Sequence, residues 1–400
     1  MPGSHFAYLA SASKGPSNEG DPQVKLTSRA GVVAGLLVGA VALAACSSSK
    51  SNSSGSSDTG SSTPPASSTP AANTNCGTGT ITANGSSAQG NAMTAWVTAY
   101  QKACPGATVN YTATNSGQGV ADFTAGKIAF GGSDSALDPT KGEPAAATTA
   151  CGSPALDIPM VVGPIAVAYN LSGVSDLTLT PTVLTKIFLG KITKWDDAAI
   201  KAINSGVTLP SSDIKVFFRN DPSGTNKNFE KYLSKNDATD WGSLVVDKPW
   251  PGKTGSGVSG SAAVASGVKS TPGGIGYMEW SYAGNNQLST AKIDNGGGAV
   301  ALSTESAGAA VAAATITGTG DDLSLKLDYG TKTAGAYPIV LVTYEIVCTK
   351  YKDSGTGTQV KDFLTYTASA AGQGLLAAQG YAPLPASILA KVQATVAKIS

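Results

Sequence analysis

The residues best placed to do chemistry lie in Phe217-Phe218-Arg219-Asn220-Asp221-Pro222-Ser223-Gly224-Thr225-Asn226. A short apolar run gives way to a polar turn with Pro and Gly. A segment follows in which Phe229, Tyr232 and Leu233 recur at helical spacing. Strand, tight turn and helix start in that order make an anion trap. The first N–H groups of a helix lack partners, and its dipole makes that end positive. Ser223 and Thr225 add hydroxyl donors, Gly224 lets a ligand approach the backbone, and Arg219 adds a planar fork of donors suited to tetrahedral oxyanions. The chain has two arginines, and Arg29 lies in a segment expected to be removed. An isolated Arg is ordinarily a surface residue. Here lysines serve solubility everywhere else, which singles out Arg219 as a ligand group.

The elements that must position this turn alternate. Residues 78–83 read as a strand, followed by the turn Asn84-Gly85-Ser86-Ser87 and a helix with Met93, Trp96, Val97 and Tyr100 on one face. Residues 108–113 form the next strand, then Asn115-Ser116-Gly117 opens a short helix around Val120 and Phe123. A third strand, 128–131, closes on Ser133-Asp134. Three strand ends thus deliver Ser86/Ser87, Ser116 and Asp134, and in a parallel α/β sheet such turns gather at the carboxyl edge, where ligands bind. Two long apolar runs, 158–170 and 337–348, are placed to carry the chain out to a second lobe and back. The division this predicts is 76–163 plus 341–400 for one lobe and 164–340 for the other.

Composition narrows the function. The formal net charge is +1, and residues 1–45 hold three basic and two acidic side chains. Removing them from 27 and 26 leaves 24 of each, so no basic field exists to hold nucleic acid. The one histidine, His5, falls in the same segment, which leaves a mature chain unable to run a Ser-His-Asp or Cys-His mechanism or to build a His-ligated zinc site.

Lys25 and Arg29 precede an apolar run, 30–45, too short to span a bilayer and reading as a secretory signal. Residues 1–23 lack signal character, which raises Val24 as an alternative initiator; precursor peptides from residues 1–20 would dismiss that idea. Residues 47–75 are nearly all Ser, Thr, Pro, Gly, Ala and Asn, a disordered tether with an r.m.s. span of roughly 30 Å. An even count of four further cysteines in an exported chain favours two disulfides. The expected pairs are Cys76–Cys104 and Cys151–Cys348, with connectivity open; a metal site lacks any CxxC spacing.

Leu43-Ala44-Ala45-Cys46 resembles a bacterial lipobox, which implies cleavage before Cys46 and a lipid on its sulfur. From about Cys76 onward the chain resembles the phosphate-binding lipoproteins of the Pst ABC importer, in their high-GC Gram-positive form. The resemblance rests on Gly85-Ser86-Ser87-Ala88-Gln89, Asn115-Ser116-Gly117, Phe130-Gly131-Gly132-Ser133-Asp134, Leu189-Gly190-Lys191-Ile192-Thr193-Lys194-Trp195-Asp196-Asp197, the Arg219–Thr225 segment and Gly273-Gly274-Ile275-Gly276-Tyr277. It implies an α/β, two-lobed periplasmic-binding-protein fold of type II, a lipid-anchored monomer outside the cytoplasm, a permease partner and no cofactor or metal. It also implies a phosphate site of Ser87, Ala88 (through its N–H), Ser116, Asp134, Arg219, Ser223, Gly224 and Thr225, with Asp221 pairing the arginine.

A carboxylate beside an anion is normally repulsive. Asp134 makes sense if the ligand carries a proton to donate, as HPO₄²⁻ and H₂PO₄⁻ do; sulfate would leave two acceptors facing each other. The rivals are a receptor for sulfate or molybdate and a phosphomonoesterase. For the latter, Asp196-Asp197 and Asp321-Asp322 read better as turns or caps than as metal ligands. Gly255, Gly257 and Gly260 satisfy GxGxxG, but with 48 glycines and no preceding β-rich run the match reads as chance. An SxxK at Ser266 and Lys269 and a KTG at 253–255 occur in the wrong order for a penicillin-recognising enzyme.

Overall fold

A computed structural model describes residues 75–400. The signal region, Cys46 and nearly all of the tether lie outside the described residues. Three strands start the fold: β1 (Gly79–Gly85), β2 (Ala107–Ala113) and β3 (Phe130–Ser133), with β1 parallel to both others. Two helices cross between them. α1 (Gly90–Ala103) turns Met93, Trp96 and Tyr100 inward, and α2 (Ser116–Thr124) buries Val120 and Phe123. The Asn115 side chain caps α2 by accepting from the Gln118 N–H at 2.8 Å.

β4 (Ala155–Tyr169) is fifteen residues long and buried at all but its first position, which is why it reads as a continuous apolar run. β5 (Lys215–Arg219), α3 (Gly224–Asn236), β6 (Ser256–Val258), α4 (Ser261–Ser270) and β7 (Gly274–Glu279) follow. β8 (Val340–Cys348), buried throughout, returns the chain. The strand order is β2-β1-β3-β8-β4-β7-β5-β6. β8 runs antiparallel to β3 and to the first part of β4, whereas Ile165–Tyr169 of β4 pairs antiparallel with β7. β5 is parallel to both β6 and β7. Two triplets of parallel strands therefore flank one shared, antiparallel pair, and the apolar crossovers expected from sequence are β4 and β8.

A further segment complicates the simple division into lobes. Residues 315–316 and 325–326 form a short hairpin held to the first triplet's side of the sheet. The Asp157 N–H donates to Asp322 Oδ2 at 3.0 Å, and the Leu325 N–H donates to the Tyr344 hydroxyl at 3.0 Å. Just beyond it, the Tyr329 hydroxyl donates to Asn228 Oδ1 on α3, so this strap reaches both sides.

The disulfides are Cys76–Cys104 and Cys151–Cys348, as expected, closing sequence separations of 28 and 197. The second closes the longer loop and so constrains the unfolded chain more. Replacing Cys151 and Cys348 together by Ala should lower unfolding free energy by about 2–5 kcal/mol, read from urea midpoints, and should cost more than the Cys76/Cys104 pair.

Candidate functional site

The carboxyl ends of both parallel triplets face one another. β1 ends in Ser86-Ser87, β2 leads to Ser116 at the start of α2, and β3 leads to Asp134. From the other side, β5 ends in Arg219 and leads to Ser223 and α3, β6 leads to Ser261 at the start of α4, and β7 ends in Glu279. Helices α1, α2, α3 and α4 all begin here, so four positive helix ends converge on one spot.

Arg219 is 1% exposed. Its Nε donates to Asp221 Oδ1 at 2.6 Å and its Nη2 to Oδ2 at 2.5 Å, a two-point fork that fixes the guanidinium plane. Burial works against the charge, but Asp221 overrides it and holds the guanidinium protonated. The remaining Nη1 donates to Ser87 Oγ at 3.1 Å and Ser261 Oγ at 3.0 Å. Ser223 caps α3, its Oγ accepting from the Asn226 N–H at 3.4 Å. The Gly224 N–H donates to Ser116 Oγ at 3.2 Å, joining the two halves directly.

Asp134 is buried and accepts from three hydroxyls: Ser86 at 2.6 Å and Thr343 at 2.7 Å on Oδ1, and Ser116 at 3.0 Å on Oδ2. Burial, then the nearby Glu279 charge, push its pKa up to about 6, while the hydroxyls pull the other way. Near neutral pH the carboxylate is therefore ionised and an acceptor. It caps no helix.

All eight candidate ligands and Asp221 gather here, with two corrections of role. The Thr225 hydroxyl donates to Glu279 Oε1 at 2.7 Å, so Thr225 faces the site through its backbone N–H rather than as a hydroxyl donor. The Ala88 N–H is held by Ser86 Oγ at 3.0 Å instead of standing free. Gly224 is also tighter than expected: a Cβ there would lie 2.5 Å from both Asp134 Cβ and Ser116 Oγ. The close approach it permits is that of the opposite half, not only of a ligand.

Sequence reasoning placed Ser86 at the strand end without giving it a role, and missed Ser261, Glu279 and Thr343. For Ser261 a signal existed. The GxGxxG dismissed as chance spans β6 and the turn into α4, with positive φ at Gly255 and Gly260, and Ser261 follows it at the helix start. The dismissal is corrected in structure, though not toward dinucleotide binding. Asp197 caps a short helix by accepting from the Ala199 N–H, and Asp322 accepts from backbone N–H groups, as expected of turns and caps. Among the described residues, no cluster of three or more His, Cys, Asp or Glu side chains is placed to hold a metal.

Behind the site, Glu345 is fully buried and neither carboxyl oxygen has a hydrogen-bond partner. Burial chiefly, with the Asp134 charge, raises its pKa to about 8 against the opposing pull of the Gln89 side chain. The folded protein thus keeps this proton up to about pH 8, while an unfolded chain releases it near 4.5. Stability therefore falls as pH rises across that window and levels off above it. Glu345→Gln should remove this share, on the order of a few kcal/mol, so that urea unfolding at pH 5 and pH 8 differs less than in the wild type. Asp134, Asp157 and Glu230 are shifted in the same direction, so some loss of stability with rising pH remains in the variant.

A family model described as PBP superfamily domain matches residues 70–371. Phosphate-binding protein PstS 3 of Mycobacterium tuberculosis (strain ATCC 25618 / H37Rv) is 46% identical over 325 residues, 80% of this chain and 87% of that protein. Phosphate-binding protein PstS of Xylella fastidiosa is 33% identical over 297 residues, 73% of this chain and 78% of that protein. Among solved structures, a high affinity periplasmic phosphate-binding protein (PfluDING) bound with phosphate superposes with a TM-score of 0.65 at 23% identity, covering 79% of this chain and 93% of its own. A human phosphate binding apolipoprotein gives 0.63 at 21% identity, covering 78% and 93%. At such identities the solved structures speak for the fold, which is the two-lobed, type II periplasmic-binding-protein fold. The matched domain and the curated relatives together place the chain in the PBP superfamily and, within it, in the PstS family of phosphate-binding proteins.

Proposed function

We infer that the protein binds inorganic phosphate outside the cytoplasm and delivers it to an ABC importer, by closing two lobes, 76–163 plus 341–400 and 164–340, around a dehydrated oxyanion. The observation that carries the ligand choice is Asp134, a buried carboxylate accepting from three hydroxyls inside a ring of donors. Ser87, Ser223, Arg219 and the N–H group of Thr225 would replace the anion's hydration shell, joined by the N–H groups of Ala88 and Gly224 if these exchange their Ser86 and Ser116 hydroxyl partners for phosphate oxygens, with Ser116 also holding Asp134 in place. A buried polar group left unpaired is costly, so each phosphate oxygen must be met. Asp134 would accept the proton that HPO₄²⁻ or H₂PO₄⁻ still bears. Asp221 offsets the Arg219 charge, which keeps binding dependent on hydrogen bonds and release possible.

The protein acts as a binder and not as a phosphomonoesterase: the curated relatives are named for phosphate binding, and the only histidine lies in the leader. With the leader 1–45 removed, the lipid on Cys46 and the tether 46–75 would hold a monomer at the outer face of the membrane. No helix among the described residues is long and apolar enough to cross one.

Calorimetry across phosphate, arsenate, sulfate and molybdate tests the reading. Phosphate should bind far more tightly than sulfate, and equal affinities would end the assignment. Arg219→Ala should raise the phosphate Kd ~100-fold or more, since it deletes charged donors and strands Asp221. Asp134→Asn should narrow the phosphate-over-sulfate ratio by ~10-fold or more; an unchanged ratio would remove the proton-sensing role. Turnover of p-nitrophenyl phosphate by the pure protein would revive the enzyme.

A further inference from the structure

A cavity of about 460 Å³ adjoins the site, with Asp134 in its wall. Lys227 and Lys231, one turn apart on α3, line it together with Asp138, Asn228, Tyr329 and, from the strap, Lys326. Asn228 forms the partition between cavity and site. Its Nδ2 donates to the Asp134 carbonyl at 2.7 Å and the Gly224 carbonyl at 2.8 Å, and its Oδ1 accepts from Tyr329.

The charges here are unbalanced. Asp138 pairs with Lys227 at 3.2 Å. Among the described residues no carboxylate reaches Lys231, whose Nζ lies 5.9 Å above the Tyr329 ring. Like charges at i and i+4 repel, and withdrawing Lys231 from water compounds the cost. Burial first, then Lys227, lower the Lys231 pKa to about 8, with Asp138 opposing. An anion in the cavity would relieve both effects.

We propose that this cavity is a transit subsite for inorganic phosphate, where Lys231 and Lys227 hold the anion before it passes Asn228 into the buried site. The choice of residue suits transit: an ammonium is a flexible, strongly hydrated point charge, whereas the two-point fork of arginine is kept for the destination. The inference rests on the phosphate reading of the adjoining site.

Stopped-flow tryptophan fluorescence on the full chain, with inorganic phosphate as the probe, tests it. Lys231→Met and Lys227→Met should each lower kon ~3- to 10-fold at low ionic strength with koff unchanged. The difference should vanish toward 1 M NaCl, where the screening length falls to about 3 Å. Lys102→Met, which removes an exposed lysine far from the cavity, should leave kon as it was. Lys231→Gln, checked by thermal melting, serves if Met disturbs packing. Tight wild-type binding with unaltered kon in the variants, or a change confined to koff, overturns this inference alone; a wild type that binds no phosphate overturns the site's function as well.

Discussion

The structure depends on keeping one guanidinium in a dry interior. Moving an ion out of water costs several kcal/mol, and attraction to a partner offsets that only with good geometry and every donor used. Arg219 meets both conditions. Asp221, two residues along, takes Nε and Nη2, and Ser87 and Ser261 take Nη1. Because the pair is locally neutral, the site's pull on an anion comes from oriented dipoles and hydrogen bonds, not from a net field. That agrees with a sequence whose 27 basic and 26 acidic side chains nearly balance. It also explains why the pair sits in one short turn: sequence neighbours can be held in register more tightly than distant ones.

Assembling the remaining donors is a problem of topology. Each parallel triplet sends its strand ends to the same edge, and the long antiparallel strands β4 and β8 set the two edges against each other. Direct bonds from Gly224 to Ser116 and from Arg219 to Ser87 close the gap. A Cβ at residue 224 would fall within 2.5 Å of the facing half, so glycine there is demanded by the meeting of the halves.

Much of this was legible because the signals are local. The Arg219–Thr225 turn carries its own strand end, cap and charge partner in ten residues, and Ser86/Ser87, Ser116 and Asp134 each end a recognisable strand. The crossovers showed as unbroken apolar runs because both of their faces are covered. Ser261 was obscured because β6 is three residues long and built from Ser, Gly and Val, too short and too weakly apolar to announce a strand. Thr343 and Glu279 lie inside buried strands, where only the pairing register reveals which side chain turns toward Asp134 or Thr225. The strap was illegible for the same reason: its anchors, Asp157 and Tyr344, lie far away in the chain.

An anion site with acids around it would be self-defeating if all of them were ionised. Asp134 and Glu279 line it, and Glu345 lies close behind, directly across the strand pair from the Gly132 that precedes Ser133 and Asp134. The environments separate their roles. Asp134 is solvated by three hydroxyls, which offsets part of the burial penalty and keeps it charged near neutral pH. Glu345 has only the Gln89 side chain to oppose burial, and burial together with the Asp134 charge leaves it neutral up to about pH 8. A single well-solvated carboxylate can then check for a ligand proton without a second charge behind it. Glu279 spends one oxygen on the Thr225 hydroxyl, which leaves the Thr225 N–H, and not its side chain, to face the ligand. On the proposed function, discrimination at this site would depend as much on which acids keep their protons as on which donors touch the anion.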